Sequence, residues 1–273
     1  MRQRRILPGF GLSMGITLCY VAVIVALPIG ALVFKAASLG PEDYWRIVTS
    51  ARALASYRVT VLSAAAATAF NLVFGLALAW ALVRYQFPGR RLIDAMVDLP
   101  FALPTAVAGI ALTTVFASNG WFGSFLASMN IKVVYTPLGI MVAMAFTSLP
   151  FIVRTVQPVL EDLDPALEEA AQSLGSSDLN IFRRVILPLL TPALLAGTSL
   201  AFARSLGEFG AIIFIAGNQP METEITALLA FIRLEEYDYP AAAAIASVML
   251  FAAFVMLAVT NYLQARALRY TAR

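Results

Sequence analysis

The sequence predicts an all-α, polytopic integral membrane protein, and three observations carry that prediction. Of the 273 residues, 60% are hydrophobic and only 13% charged, against roughly 25% charged in soluble domains. Six apolar runs, near 13–34, 59–83, 96–117, 137–157, 192–216 and 241–263, are each long enough to cross a hydrocarbon core of about 30 Å, which takes roughly 20 helical residues. The basic residues are also distributed as six spans require. With six spans both termini share one side, and that side holds Arg2, Arg4, Arg5, Arg84, Arg90, Arg91, Arg154, Arg183, Arg184, Arg266, Arg269 and Arg273. The opposite side holds Lys35, Arg46, Arg52, Arg58, Lys132 and Arg233, with Arg204 inside the fifth run. This asymmetry places both termini in the cytoplasm by the positive-inside rule and explains the net charge of +3 without a nucleic-acid partner. Residues 1–273 read as one transmembrane domain.

The first run follows "MRQRR", which has the charge of a signal-peptide n-region, but the run has the length of a full span and five more follow it. Between the first two runs, "GPEDYWRIVTS" suits either a helix lying at the far membrane surface or a plain loop. Asn71 in the second run and Asn261 in the sixth are expected to hydrogen-bond between helices. In the third run, Asp98, Pro100 and Pro104 form an irregular patch. Prolines there free backbone carbonyls, which a bilayer tolerates only where protein or water covers them; the patch either lines a path or is a kink of plain architecture.

Between the fourth and fifth runs lies a loop, 157–188, far longer than the two to eight residues usual between bundle helices. It is written like structure. Asp164 before Pro165 is a helix start, with the carboxylate as N-cap and proline at the first helical position. Ala166, Leu167, Ala170, Ala171 and Leu174 then recur at helical spacing opposite Glu168, Glu169 and Gln172, and Gly175 ends the helix. A second segment from Ser177 places Leu179, Phe182, Val185 and Ile186 on one face, and Pro188 marks the return to the membrane. Such a helix-turn-helix either rests on lipid or on its own spans, or presents its apolar face to a partner's groove.

In the fifth run, Arg204 and Glu208 stand four residues apart, within pairing reach. Each ionised side chain near the bilayer centre costs roughly 2.5–3.5 kcal/mol on insertion scales, so both are expected to face the bundle interior or a watery path. They are either a structural ion pair or part of an anion path and its gate, with Ser205 beside them and Gly207 and Gly210 permitting an unwound backbone.

Histidine is absent and Cys19 is the single cysteine, so no histidine-based catalytic or metal site is available and no intrachain disulfide is possible. No G-x-x-x-x-G-K-[ST] phosphate loop occurs. The chain is not expected to be an enzyme, to hold a metal or cofactor, or to hydrolyse ATP.

Glu169-Ala170-Ala171, three residues, Gly175, nine residues, then Val185-Ile186-Leu187-Pro188 resembles the EAA loop of permease subunits in bacterial ABC importers; Val185 stands where the pattern usually has isoleucine. The likeness extends over essentially the whole chain. "RRILPGF", "YQFPGRRLIDAMVDLPFALPTAVAG", "SLGEFGAIIFIAGN" and "EEYDYPAAAAIASV" resemble the T-type sulfate/thiosulfate permeases of the binding-protein-dependent importers, with "LGEFG" also found in molybdate permeases. The resemblance implies a type I importer (MetI-like) permease fold in a bacterial inner membrane. It implies ATPase coupling through Glu168, Glu169, Ala170, Ala171, Leu174, Gly175, Leu187 and Pro188, and a W-type companion permease. Two copies of a cytoplasmic ATPase binding ATP and Mg, and a periplasmic anion-binding protein meeting loops such as 218–239 with Glu222, Glu224, Glu235 and Glu236, complete the implied complex. Molybdate or tungstate import is the alternative within this class, and an ion-gradient-driven anion transporter the alternative outside it, although no internal repeat supports the latter.

Overall fold

Helices form every regular element of the computed structural model, which describes residues 10–271, with side chains through Tyr262. The charges counted at Arg2, Arg4, Arg5 and Arg273, and the side chains of Arg266 and Arg269, lie outside the described residues. In order, the helices are α1 (Phe10–Ala37, with a π-bulge at Ala22–Ala26), α2 (Pro41–Val48), α3 (Ala51–Arg84), α4 (Arg90–Val97), α5 (Leu99–Ala102), α6 (Thr105–Phe116) and α7 (Trp121–Ser128). They continue with α8 (Pro137–Glu161), α9 (Pro165–Ser173), α10 (Asp178–Leu206), α11 (Ile212–Ile215), α12 (Thr226–Glu235) and α13 (Tyr239–Thr271). Five of them, α1, α3, α8, α10 and α13, are each long and apolar enough to cross a membrane; α6 and α7, bent by 45° at their junction, together make a sixth candidate span.

α3 begins at Ala51 rather than 59, α8 ends at Glu161 rather than 157 and α13 reaches Thr271 rather than 263, each an extension of the expected run; the third and fifth runs differ more deeply. The third is not one helix over 96–117. Leu103 is extended (φ −86°, ψ 135°), as residues before proline are, so the chain breaks at Leu103–Pro104 and the apolar helix starts at Thr105 and continues through the bend to Ser128. The fifth spanning helix starts at Asp178 rather than 192 and stops at Leu206 rather than 216. Hydropathy fails at its start because Arg183 and Arg184 hide a helix that simply continues beyond the apolar layer. Pro188 does not interrupt it, because the preceding turn, Phe182–Ile186, is a wide π-turn that makes room for the ring. Hydropathy fails at the other end because Ala211, Ile212, Ile215 and Ala216, all fully buried, are apolar for packing inside the protein.

The centre of the fold is α8, flanked by α3 and α10. At Gly197 α10 lies close against α8: an added Cβ would lie 3.1 Å from Ile152 Cα and 3.2 Å from the Phe151 carbonyl. Ile140, Met144, Ile212, Ile215 and Ile225 fill one end of the interior; Leu82, Ile152, Val156, Leu160, Ile186 and Leu190 fill the other. Between them the buried Asn71 amide donates to the Ala145 carbonyl (2.8 Å) and Ser148 Oγ (2.9 Å), the interhelical role expected of it; Asn261 is exposed. Large apolar side chains instead cover the outside, among them Leu12, Phe34, Val73 and Phe251, the arrangement a lipid solvent demands.

The end of the bundle away from α9 is tied by polar contacts. Arg52 makes a bidentate pair with the buried Glu224 (2.8 and 2.7 Å), the Thr226 N–H donates to Thr60 Oγ1 (2.9 Å), and Tyr44 on α2 is hydrogen-bonded to Ser247 on α13 (3.0 Å). The "GPEDYWRIVTS" segment is thus a helix, α2, held to the last span.

Candidate functional sites

Of the expected loop 157–188, residues 157–161 belong to α8, which runs on to Glu161, and the remainder holds one short helix, α9, and the opening turns of α10. The α9 start is as its residues dictate: the Asp164 carboxylate accepts from the Ala166 N–H (2.9 Å) and Pro165 occupies the first position. At its end the Gly175 N–H donates to the Gln172 carbonyl (2.8 Å) and the Ser176 N–H to Ala171 (3.1 Å). This Schellman pattern needs a left-handed residue, and Gly175 supplies it at φ +79°. Ala166, Leu167, Ala170 and Leu174 are all exposed, Leu174 by 87%, as are Glu169 and Gln172. Ala171 packs on the core beneath. Glu168 does not share the outward polar face with Glu169; it turns inward and pairs with Arg84 at the end of α3. Leu187 and Pro188 lie inside α10, where Leu187 packs against the same core.

A second constellation forms where α10 stops. Arg204, in its last turn, pairs with Glu208 (2.7 Å), with 31% and 1% of the two side chains exposed. Glu208 Oε1 also accepts from the Ala211 N–H (2.9 Å), so one buried carboxylate closes the break between α10 and α11. Ser205 is fully buried, and its carbonyl accepts from the Glu208 N–H (3.2 Å). The broken segment sits directly on the first turns of α6: a Cβ on Gly210 would lie 2.1 Å from Thr105 Oγ1, and one on Gly109 would lie 2.4 Å from the Ala211 carbonyl oxygen. Two interrupted helices therefore meet backbone to backbone, and Pro104 stands at that junction as the residue before α6.

Asp98 and Pro100 lie apart from that junction. Asp98 accepts from Arg154 Nε (2.8 Å) and Nη2 (2.7 Å), while Arg154 Nη1 donates to Asp94 Oδ1 (2.6 Å) and Gln157 Oε1 (2.7 Å), and Nη2 to the Asp94 carbonyl (2.7 Å). All five guanidinium hydrogens are engaged, pinning α4 and α5 to the end of α8. Pro100, in α5, is buried. Sequence reasoning did not find Arg84, Asp94, Arg154, Thr105 or Gly109. The two arginines entered only as topology markers, and their partners lie 84 and 56–60 residues away, beyond any periodicity.

Long lipid-facing helices, a helical loop presenting an exposed apolar face, and interrupted helices meeting inside the bundle are features of a membrane transport subunit. Residues 71–269 match the family described as binding-protein-dependent transport system inner membrane component, and the chain belongs to that family. Over 264 residues it is 59% identical to the sulfate transport system permease protein CysT of Salmonella typhimurium and 57% identical to that of Escherichia coli, covering 97% of this chain and 95% of each relative. Among solved structures, a bacterial ABC transporter involved in the import of the acidic polysaccharide alginate superposes with a TM-score of 0.76 at 18% identity, covering 94% of this chain and 96% of that one. A chain of the MetNI methionine ABC transporter does so at 0.60 and 16%, covering 84% and 99%. The structures establish the ABC-importer permease fold.

Proposed function

We propose that this chain is the T-type permease subunit of an ATP-driven sulfate/thiosulfate importer in a bacterial inner membrane, with both termini cytoplasmic. The observation that carries this reading is its 59% identity, over nearly the full length of both chains, to a protein named as a sulfate transport permease. Orientation rests on the arginines: Arg84, Arg90, Arg91, Arg154, Arg183 and Arg184 are on the side of α9, which the positive-inside rule makes cytoplasmic. The chain is a transport component and not an enzyme; it binds no cofactor, and ATP and Mg belong to two copies of a partner ATPase. A W-type companion completes the membrane pair. A binding protein delivers the anion at the opposite face, a reading supported by the alginate transporter solved with a substrate-bound periplasmic protein.

In this mechanism the exposed face of α9, with Glu169 on its rim, is taken into a groove of the ATPase. Closure of the ATPase pair displaces α9, and the attached α8 and α10 carry the displacement to the junction of Gly207–Ala211 with Thr105–Gly109. Arg204, Ser205, Gly207, Glu208, Gly210 and Pro104 surround that junction and are assigned to the path or its gate; Asp98 and Pro100 act through the Arg154 clamp that sets α4 and α5. Coupling needs only that the ATPase contact differ in free energy between outward- and inward-facing states.

The deciding experiment is uptake of labelled sulfate into proteoliposomes holding this chain, its companion, the ATPase and the binding protein. ATP-dependent uptake competed by thiosulfate and not by molybdate is expected. Uptake of molybdate alone would correct the cargo, and uptake indifferent to ATP would overturn the class.

Two substitutions test the docking helix. Glu169→Lys reverses a charge on the exposed rim and is expected to weaken ATPase co-purification; undiminished co-purification would count against docking there. Gly175→Ala adds a Cβ that meets no neighbouring atom within 4 Å, so its effect is conformational, about 1–2 kcal/mol against the left-handed residue. It is expected to misdirect α9 and cut ATP-driven uptake, whereas Gly175→Asn, which tolerates that conformation, keeps most of it.

A further inference from the structure

The loop helix α9 is covalently continuous only with α8 and α10, yet its inward-facing charge reaches a third span. Glu168 pairs with Arg84 in the last turn of α3, with 24% and 25% of the two side chains exposed. It is the one ion pair that α9 makes among the described residues. The Arg84 guanidinium carbon lies 5.2 Å from the centroid of the Trp80 ring, one turn earlier on α3, within cation–π range. Trp80 in turn meets Phe182 edge to face, with ring centroids 5.5 Å apart and planes at 83°. Phe182 opens the π-turn of α10. The contacts close a ring: α9 to Glu168, Arg84, Trp80 and Phe182, and so into α10, which follows α9 in the chain.

Among the described residues, Ala171 is the one apolar α9 side chain packed on the core cluster, so without Arg84 the helix would be held mainly by its chain ends, its contacts with the opening turn of α10 and one methyl group. The pair is partly buried and charge-assisted, the stronger kind of hydrogen bond, and a planar guanidinium can face the carboxylate and the indole at once, which a lysine ammonium does not reproduce.

We propose that Arg84 is a positioning residue for energy coupling: it fastens α9 to α3, so that a partner displacing the loop moves α3 together with α8 and α10. This rests on the reading of α9 as the ATPase-docking helix. It predicts a specific defect, in which the complex assembles and hydrolyses ATP but moves less substrate per ATP.

The test uses the four-component complex in proteoliposomes, measuring ATPase co-purification, ATP hydrolysis and sulfate uptake in parallel. Arg84→Gln and Glu168→Gln are each expected to retain co-purification and hydrolysis while uptake per ATP falls about tenfold, within the roughly 5- to 150-fold span of typical couplings. Exchanging the charges, Arg84→Glu with Glu168→Arg, is expected to recover much of that loss, and Arg84→Lys to fall between. Normal uptake per ATP in either single variant overturns the proposal, as does a charge exchange no better than the singles, or loss of ATPase co-purification in Arg84→Gln. The two readings separate because uptake per ATP reports on Arg84, whereas co-purification of the Glu169→Lys variant reports on docking.

Discussion

Arg204→Ala is expected to cost about 3 kcal/mol of stability and to abolish ATP-driven uptake. The substitution leaves the Glu208 carboxylate, 1% exposed, with one backbone N–H from Ala211 and no counter-charge. Breaking a buried pair by removing one partner costs about 3–5 kcal/mol, and the lower figure applies because Arg204 itself is 31% exposed and partly screened. Stability alone does not say whether Arg204 packs or conducts. A second variant, Arg204→Ala with Glu208→Gln, removes the stranded charge and is expected to restore membrane accumulation while uptake stays low. Immunoblots of membrane fractions beside uptake in the same vesicles make the comparison. Recovery of both quantities would assign the pair to packing alone.

Gly109→Ala is expected to be nearly as damaging, for a steric reason. The added methyl would sit 2.4 Å from the Ala211 carbonyl oxygen and 2.8 Å from its Cα. Both are backbone atoms, so no rotamer change relieves the contact and α6 must move away from the segment after α10. Overpacking of this kind costs about 1–3 kcal/mol and occasionally more, and the upper end is expected here. Gly210→Ala offers a control. Its nearest neighbour, at 2.1 Å, is the side-chain Oγ1 of Thr105, followed by Thr105 Cβ at 3.1 Å and the Ala106 N at 3.2 Å, so Gly210→Ala combined with Thr105→Ala relieves the worst contact and is expected to regain part of the lost stability, while no side-chain change rescues Gly109→Ala. Thermal unfolding of the detergent-solubilised complex, with uptake measured beside it, separates the two.

The all-helical class and the approximate places of the spans were legible because burial in lipid writes itself as long apolar runs. The α9 start and stop were legible because caps are local: Asp164, Pro165 and Gly175 state their roles within a few residues. Two things escaped for physical reasons. Hydropathy reports apolar surroundings without saying whether lipid or protein provides them, so 207–216 read as belonging to a span although Ala211, Ile212 and Ile215 are interior packing. Ion pairs between distant segments leave no periodic trace, so Glu168 reads as one of three outward polar residues, although Arg84 stands opposite it. Arg204–Glu208 was readable for the converse reason, being four residues apart.

The unbroken course of α10 from Asp178 to Leu206 gives the molecule a lever. At 1.5 Å per residue its 29 residues make a rod of about 43 Å, and Gly197, wedged on Ile152 and Phe151, lies where a fulcrum would. The arm on the α9 side of that contact is about twice as long as the arm ending at Leu206, by the same rise per residue. To the extent that α10 turns relative to α8 at this contact, a displacement applied at the loop arrives at the far tip reversed in direction, roughly halved in travel and roughly doubled in force. On the proposed reading of the Gly207–Ala211 and Thr105–Gly109 junction as the gate, that ratio suits parting two closely packed backbones by a small distance against firm packing, and it would be lost if the helix were hinged anywhere along its length.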